Sequence, residues 1–205
     1  MKTLILLTLL FVNAFPSAGQ PTKDKQQKIQ KLKGDLNCVY KPKYSETQRN
    51  QFYPFNIADT IKLVSFRYHN HNYPIKKDTL IADSLIEIKS LTKDEVNVLT
   101  DILYNNFYKQ NPNYGELTQC YFPRNAILFF DKSGKLKEYI LICFHCNRHE
   151  ESSDSVVFGS ECTQKIEKLR QFFVSTGLKF GTDNNINIYE GESDEYDVVA
   201  PPINN

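Results

Sequence analysis

Apolar positions along the chain follow two different periods, and the change from one to the other marks out the elements. Residues 60–68 (TIKLVSFRY) alternate apolar with polar and are rich in β-branched and aromatic side chains, as a strand requires. Residues 84–89 (SLIEIK) read as a second strand, and the polar stretch 69–83 between them, beginning HNHNYP, reads as a long connection. Alternation then gives way to helical spacing. Val96, Leu99, Ile102, Leu103 and Phe107 form one stripe, expected to pack into the core rather than to line a ligand groove. Thr92 with Glu95 three residues on is a capping box, Leu91 and Val96 are spaced as its hydrophobic staple, and Asn111-Pro112 marks the stop.

The strongest local signal comes next. AILFF at 126–130, the turn Asp131-Lys-Ser-Gly134 and the stretch 137–144 (KEYILICF) predict a β-hairpin, with AILFF buried on both faces or nearly so. Residues 156–158 are a candidate short edge strand. A second helix is expected from Ser160 as N-cap, with Glu161 at the positive end of its dipole, Cys162, Ile166, Leu169 and Phe173 on one face, and Gly177 as a left-handed stop. The order β-β-α-β-β-(β)-α predicts an α+β fold, an antiparallel sheet with two helices packed on one face.

Composition changes the picture mainly at the ends. MKTLILLTLLFVNAFPSAGQ has a basic start, a nine-residue apolar run and small residues after it, the layout of a secretory signal. Cleavage is expected between Gly19 and Gln20, with cleavage after Ala14 as the alternative. The apolar run is too short to span a bilayer, so no transmembrane span is expected after signal cleavage, and the chain is expected to be exported, periplasmic or secreted. Formal net charge is only +1, but residues 20–43 carry seven lysines against two aspartates, and from Glu190 onward there are five acids and no base. The expected organisation is a signal peptide (1–19), a lysine-rich segment (20–50), one α+β domain (51–183) and an acidic disordered tail (184–205).

Export bears directly on the five cysteines, Cys38, Cys120, Cys143, Cys146 and Cys162. In an oxidising compartment they are expected to form disulfides, and an odd count leaves one over. A hairpin centred on Ser133-Gly134 pairs residues whose numbers sum to about 267. Cys146 then faces position 121, beside Cys120, which makes Cys120–Cys146 the leading bridge. Cys143 and Cys146 would lie on opposite faces of a continuous strand, so a bond between them requires a turn. Cys143–Cys162 is the companion pairing, with Cys38 left unpaired; Cys120–Cys143 with Cys146–Cys162 is the alternative. A zinc site built from Cys120, Cys143, Cys146 and Cys162, with His149 or His145 as a substitute ligand, is the competing chemistry. The C-x-x-C closes a strand rather than opening a helix, which speaks against a thioredoxin-like pair.

Other candidates are weaker. His69 and His71 lie in an asparagine-rich loop and read as surface polar residues. Arg124 can hold an anion bidentately or pair with a neighbouring carboxylate. No nucleophile motif, glycine-rich phosphate loop or recognisable carboxylate pair is present. Twelve tyrosines and fourteen phenylalanines without a matching basic face do not make a nucleic-acid surface.

CYFPRNAILFFDKSGKLKEYILICFHC, followed by GSECTQKIEKLRQFF and TGLKFGT, resembles a group of uncharacterised exported bacterial proteins sharing C-x-x-P-R-[HN], a hairpin, I-C-F-x-C and often a cysteine opening a helix. The resemblance covers roughly 86–182. It implies that Cys120, Pro123, Arg124, Cys143, Cys146 and Cys162 occupy motif positions, and that Asn125 stands where histidine is frequent. It carries no function with it. The expected role is a non-catalytic binding or structural domain, stabilised by disulfides and meeting an envelope or extracellular partner. The alternative is a zinc-binding or thiol-reactive protein using the four cysteines.

Overall fold

A computed structural model describes residues 36–67, 74–76, 79–81, 84–110 and 121–182. The expected signal peptide and acidic tail, His69, His71, Asn111-Pro112 and Cys120 lie outside them.

Five antiparallel strands make the central sheet. In spatial order they are β5 (Leu85–Ser90), β2 (Thr60–Phe66), β7 (Asn125–Phe130), β8 (Leu136–Cys143) and β9 (Arg148–Glu151). β7 and β8 form the expected hairpin in the expected register: Asn125 faces Ile142 and Phe129 faces Glu138, before a bulge sets Phe130 against Leu136. The Asp131 carboxylate holds the turn, accepting from the backbone N–H groups of Ser133 at 2.9 Å and Lys135 at 3.1 Å. Gly134, at φ 77°, provides the left-handed residue that lets the strands return.

Alternation along the central strands sorts their side chains into two buried layers. Ile61, Leu63, Ile127, Phe129, Ile140 and Ile142 point to one face. There they meet the helices α2 (Lys93–Tyr104) and α3 (Lys165–Ser175) through Leu99, Leu103, Leu169 and Phe173. Val64, Phe66, Ala126, Leu128 and Leu141 point to the other face, where Ile75 of β3 (Ile75–Lys76) and Leu80 of β4 (Thr79–Leu80) pack on them. AILFF is therefore buried on both faces, as a continuous apolar run demands. Both helices lie on one face of an antiparallel sheet, and the fold is α+β.

Four expectations need correcting. The edge strand is Arg148–Glu151, not 156–158: the chain turns back at 144–147, with Asn147 at φ 51°, and a polar strand carries no apolar signal. α2 ends at Tyr104, short of Phe107, because the Asn106 side-chain amide donates to the Asp101 and Ile102 carbonyls and Asn105 turns to the Tyr44 carbonyl. The chain then enters β6 (Asn106–Tyr108), which pairs with β1 (Cys38–Tyr40). α3 starts at Lys165, not beside Ser160, because residues 162–164 bind the N-terminal segment instead of winding. Thr163 donates to the Leu36 carbonyl and the Gln164 side chain accepts from Cys38 N–H at 2.6 Å.

The fourth correction follows from the third. The domain does not begin at Gln51 but reaches back at least to Leu36. The short helix α1 (Glu46–Arg49) carries a buried arginine. Arg49 donates to the Tyr44 carbonyl at 2.7 Å and the Thr100 hydroxyl at 3.2 Å, bonds the Asn97 side chain, and stands 3.4 Å from Asp101. Among the described residues no helix is long and apolar enough to cross a membrane.

Candidate aromatic cleft and the cysteines

Cys162 is bonded to Cys38, across 124 residues of sequence. This overturns the Cys143–Cys162 pairing, the Cys146–Cys162 alternative and the expectation that Cys38 is the odd thiol. The reason is the N-terminal strand: β1 docks on β6 and delivers Cys38 to the segment before α3, whereas Cys143 is at the end of β8, facing Arg148 across the second hairpin. With its sulfur in a disulfide, Cys162 is not a thiolate ligand, so the four-cysteine zinc set does not assemble. Among the described residues no group of three or more His, Cys, Asp or Glu is placed to hold a metal ion.

Cys143 keeps a free, buried thiol. The turn after β8 does bring the C-x-x-C together: Cys146 N–H donates to the Cys143 sulfur at 3.2 Å. Cys146 is itself buried, and its pairing with Cys120 falls outside the described residues. His149 does not belong to this cluster. It sits on β9, its ring stacked on Phe158 with centroids 3.6 Å apart and 13° between planes. Its Nε2 lies 3.1 Å from the Glu151 carboxylate and 3.9 Å from that of Glu161. Arg124 precedes β7, where its carbonyl accepts from Phe66 N–H and its Cβ backs onto Gly181. It is not among the residues lining the cleft described next.

That cleft is built by the elements sequence reasoning did not separate. Tyr44, Phe52, Tyr104 and Phe107 form its aromatic wall, and Val156 to Glu161 form the facing side. Its volume is about 610 Å³, within the roughly 300–1,000 Å³ of small-molecule sites. Tyr44 packs edge-on against Phe52 at 5.0 Å and Phe52 against Tyr104 at 4.7 Å, so the wall is one contiguous aromatic surface. A smaller compartment of about 340 Å³ adjoins it through Phe107 and Ser160, and is lined by Lys41, Lys43 and Tyr108 as well.

Buried polar groups hold the two sides at a fixed spacing. Tyr104 Oη donates to the Val157 carbonyl at 3.0 Å. Lys165 has no exposed surface, and its Nζ donates to the Leu103 carbonyl at 2.5 Å and the Phe158 carbonyl at 3.4 Å. Burial pushes the Lys165 ammonium down to about 7, with Glu161 opposing that shift. Gly159 allows this approach: a Cβ there would overlap the Leu103 carbonyl oxygen and come within 3.1 Å of Lys165 Nζ.

Charged groups of both signs border the site: Glu151 and Glu161 line the cleft, and Lys41 and Lys43 line the adjoining compartment. Burial disfavours the Glu151 charge, but the hydrogen bond and charge of His149 outweigh it and hold its carboxyl below the ordinary range. Burial, reinforced by the nearby Glu161 charge, raises the Tyr108 phenol. Lys43 lies over two cleft rings, 4.9 Å from the Tyr44 centroid and 5.7 Å from that of Phe107.

No motif announces these residues in the sequence. Phe107 sits in the helical period of α2, and VVF at 156–158 has the look of a strand. In the sequence, Phe107, residues 156–158, Ser160 and Glu161 read as structural positions, and the candidate ligand His149 contacts the cleft through Phe158, Glu151 and Glu161. Set against protein-family models, curated proteins and solved structures, the chain matches none.

Proposed function

We propose that this chain is an exported, non-catalytic binding domain whose ligand from the envelope or extracellular space occupies the aromatic cleft. The observation that carries the reading is the contiguous aromatic wall of the 610 Å³ cleft, facing the 156–161 segment across a gap fixed by Tyr104 and Lys165. A concave site with apolar walls and a few charged groups is what a small ligand needs. The Cys38–Cys162 disulfide supports export, since such bonds persist outside the reducing cytosol, and it ties down the N-terminal segment that carries Tyr44.

Titrating the full, oxidised chain with the neutral apolar dye Nile red tests this reading. Saturable, blue-shifted emission is expected, and Val157→Asp, an exposed position on the cleft wall, should weaken it by about tenfold or more, roughly the 1.4 kcal/mol that one misplaced charge easily exceeds. Absence of saturable binding, or binding indifferent to Val157→Asp in a variant with an unchanged unfolding midpoint, would sink it.

A further inference from the structure

We propose that the outer edge of β5 is where a second copy of this chain docks, the two β5 strands pairing antiparallel about Ile88 so that two sheets become one. β5 is at the opposite edge of the sheet from β9, whose Glu151 lines the cleft, and the proposal does not depend on the binding reading above.

Among the described residues β5 pairs with β2 alone, so its outer side is open. One bond fixes the direction of its outward groups. Leu91 N–H donates to the Ile61 carbonyl at 2.9 Å. Hydrogen-bonded pairs alternate along an antiparallel ladder, so Lys89 bonds Leu63 and Glu87 bonds Ser65. Ile88 and Ser90 then turn their N–H and C=O groups outward. The same edge leaves the Ile86 and Ile88 side chains 42% and 53% exposed. An edge with apolar side chains and outward backbone groups is a template for another strand.

Charge selects the occupant and the register. A two-fold-related copy must bring outward groups to outward groups, so the axis passes through a residue of β5. Centred on Glu87 or on Lys89, the pairing sets like charges against each other. Centred on Ile88, it sets Glu87 of each copy against Lys89 of the other, and Ile88 against Ile88. β5 is thus complementary to itself. The Glu87 carboxylate accepts from Ser65 Oγ at 2.8 Å and from the Lys179 and Phe180 N–H groups at 3.0 Å. These donors are neutral, and a facing ammonium meets charge they do not cancel. Lys89 pairs with Glu95 at 3.3 Å, but its side chain is 37% exposed and its ammonium has donors for both carboxylates.

Sedimentation equilibrium of the full, oxidised chain tests the proposal. A dimer is expected at about 100 μM. Ile88→Lys should abolish it with the circular dichroism unchanged, whereas Val98→Lys, at an equally exposed apolar position on α2, should leave it intact. Lys89→Glu, which sets Glu87 against a carboxylate, should weaken the dimer about tenfold or more. Mild oxidation reads the register. Two copies of Ile88→Cys would lie roughly 5.5 Å apart between Cα atoms and should cross-link. Two copies of Ile86→Cys would lie roughly 13 Å apart and should not; the parent chain controls for its own cysteines. A chain monomeric at about 100 μM would leave this edge to another protein's strand and overturn the second copy. So would a dimer that survives Ile88→Lys, or cross-linking that favours Ile86→Cys.

Discussion

The centre of the sheet and the corner that holds the cleft are stabilised by different physics. At the centre, Leu63, Ile127, Phe129 and Ile140 are fully buried between partners of their own kind, and the backbone ladder satisfies their polar atoms. The corner has fewer such residues. It is stitched by groups distant in sequence: a disulfide across 124 residues, Arg49 spanning α1 and α2, Lys165 reaching two carbonyls, and Gln164 bonding both Cys38 and Asn37. Apolar burial is non-directional and tolerates sliding. Hydrogen-bonded stitching fixes a spacing, and a ligand cleft depends on spacing. The centre therefore sets stability and the corner sets geometry.

The largest effect should come from the centre. Phe129→Ala removes a ring packed edge-on against Phe55 at 5.1 Å and should cost about 3–5 kcal/mol, read as a fall in the denaturant midpoint. A loss below about 1 kcal/mol would mean that this layer is not the main source of stability. Next comes the corner. Replacing Cys38 and Cys162 together by serine should cost about 2–4 kcal/mol. Hydrogen exchange should quicken in β1 and β6 while β7 and β8 stay protected, and Nile red affinity should drop. Uniform loss of protection would erase the distinction between the two regions.

A third test uses the residue at the boundary. Lys165 joins the end of α2 to the cleft segment, and its folded pKa is about 7 against 10.5 unfolded. The folded state then binds fewer protons between those values, so stability rises as pH climbs from about 7 toward 10. Above 10 the raised phenols of Tyr53 and Tyr104 reverse the trend, because the unfolded chain loses those protons first. Between pH 7 and 9 a gain of about 1–2 kcal/mol is expected, and Lys165→Met should flatten it. An unchanged slope in the variant would assign the pH dependence to other groups.

The same contrast explains what the sequence reveals. The hairpin register is legible to the residue, because a polar turn between two apolar runs has one good alignment. The Thr92–Glu95 cap and the Gly177 stop are legible because they are local. The corner is not. β1 has only three residues, β9 is RHEE, and neither carries an apolar pattern. Cys38 is brought to Cys162 by the pairing of β1 with β6, and no spacing rule spans that distance. Phe107 looks like helix core because period alone cannot see that Asn105 and Asn106 end the helix first. His149, read from the sequence as a candidate metal ligand, contacts the cleft's Phe158 and faces carboxylates rather than cysteines.

The smallest predicted effect is the most direct comparison, because one motif occurs in both regions. Thr92 with Glu95 and Ser45 with Gln48 are both complete capping boxes, one starting the twelve-residue α2, the other the four-residue α1. Thr92→Ala should cost about 1 kcal/mol of global stability, because α2 packs on the sheet and unfolds with it. Ser45→Ala should cost about half as much globally and should appear mainly as faster exchange at Arg49 and Asn50. Acid separates the pair further. The hydrogen bond from Thr92 N–H, aided by Lys89 and opposed by partial burial, holds the Glu95 carboxyl below its ordinary range. That stabilisation is complete above the unfolded carboxyl pKa and disappears as pH falls through the folded one. Glu95→Gln should therefore reduce the loss of stability on acidification, while Gln48→Glu, which adds a titrating carboxyl to the corner, should increase it. Equal global losses from Thr92→Ala and Ser45→Ala would show that the corner unfolds with the sheet rather than ahead of it.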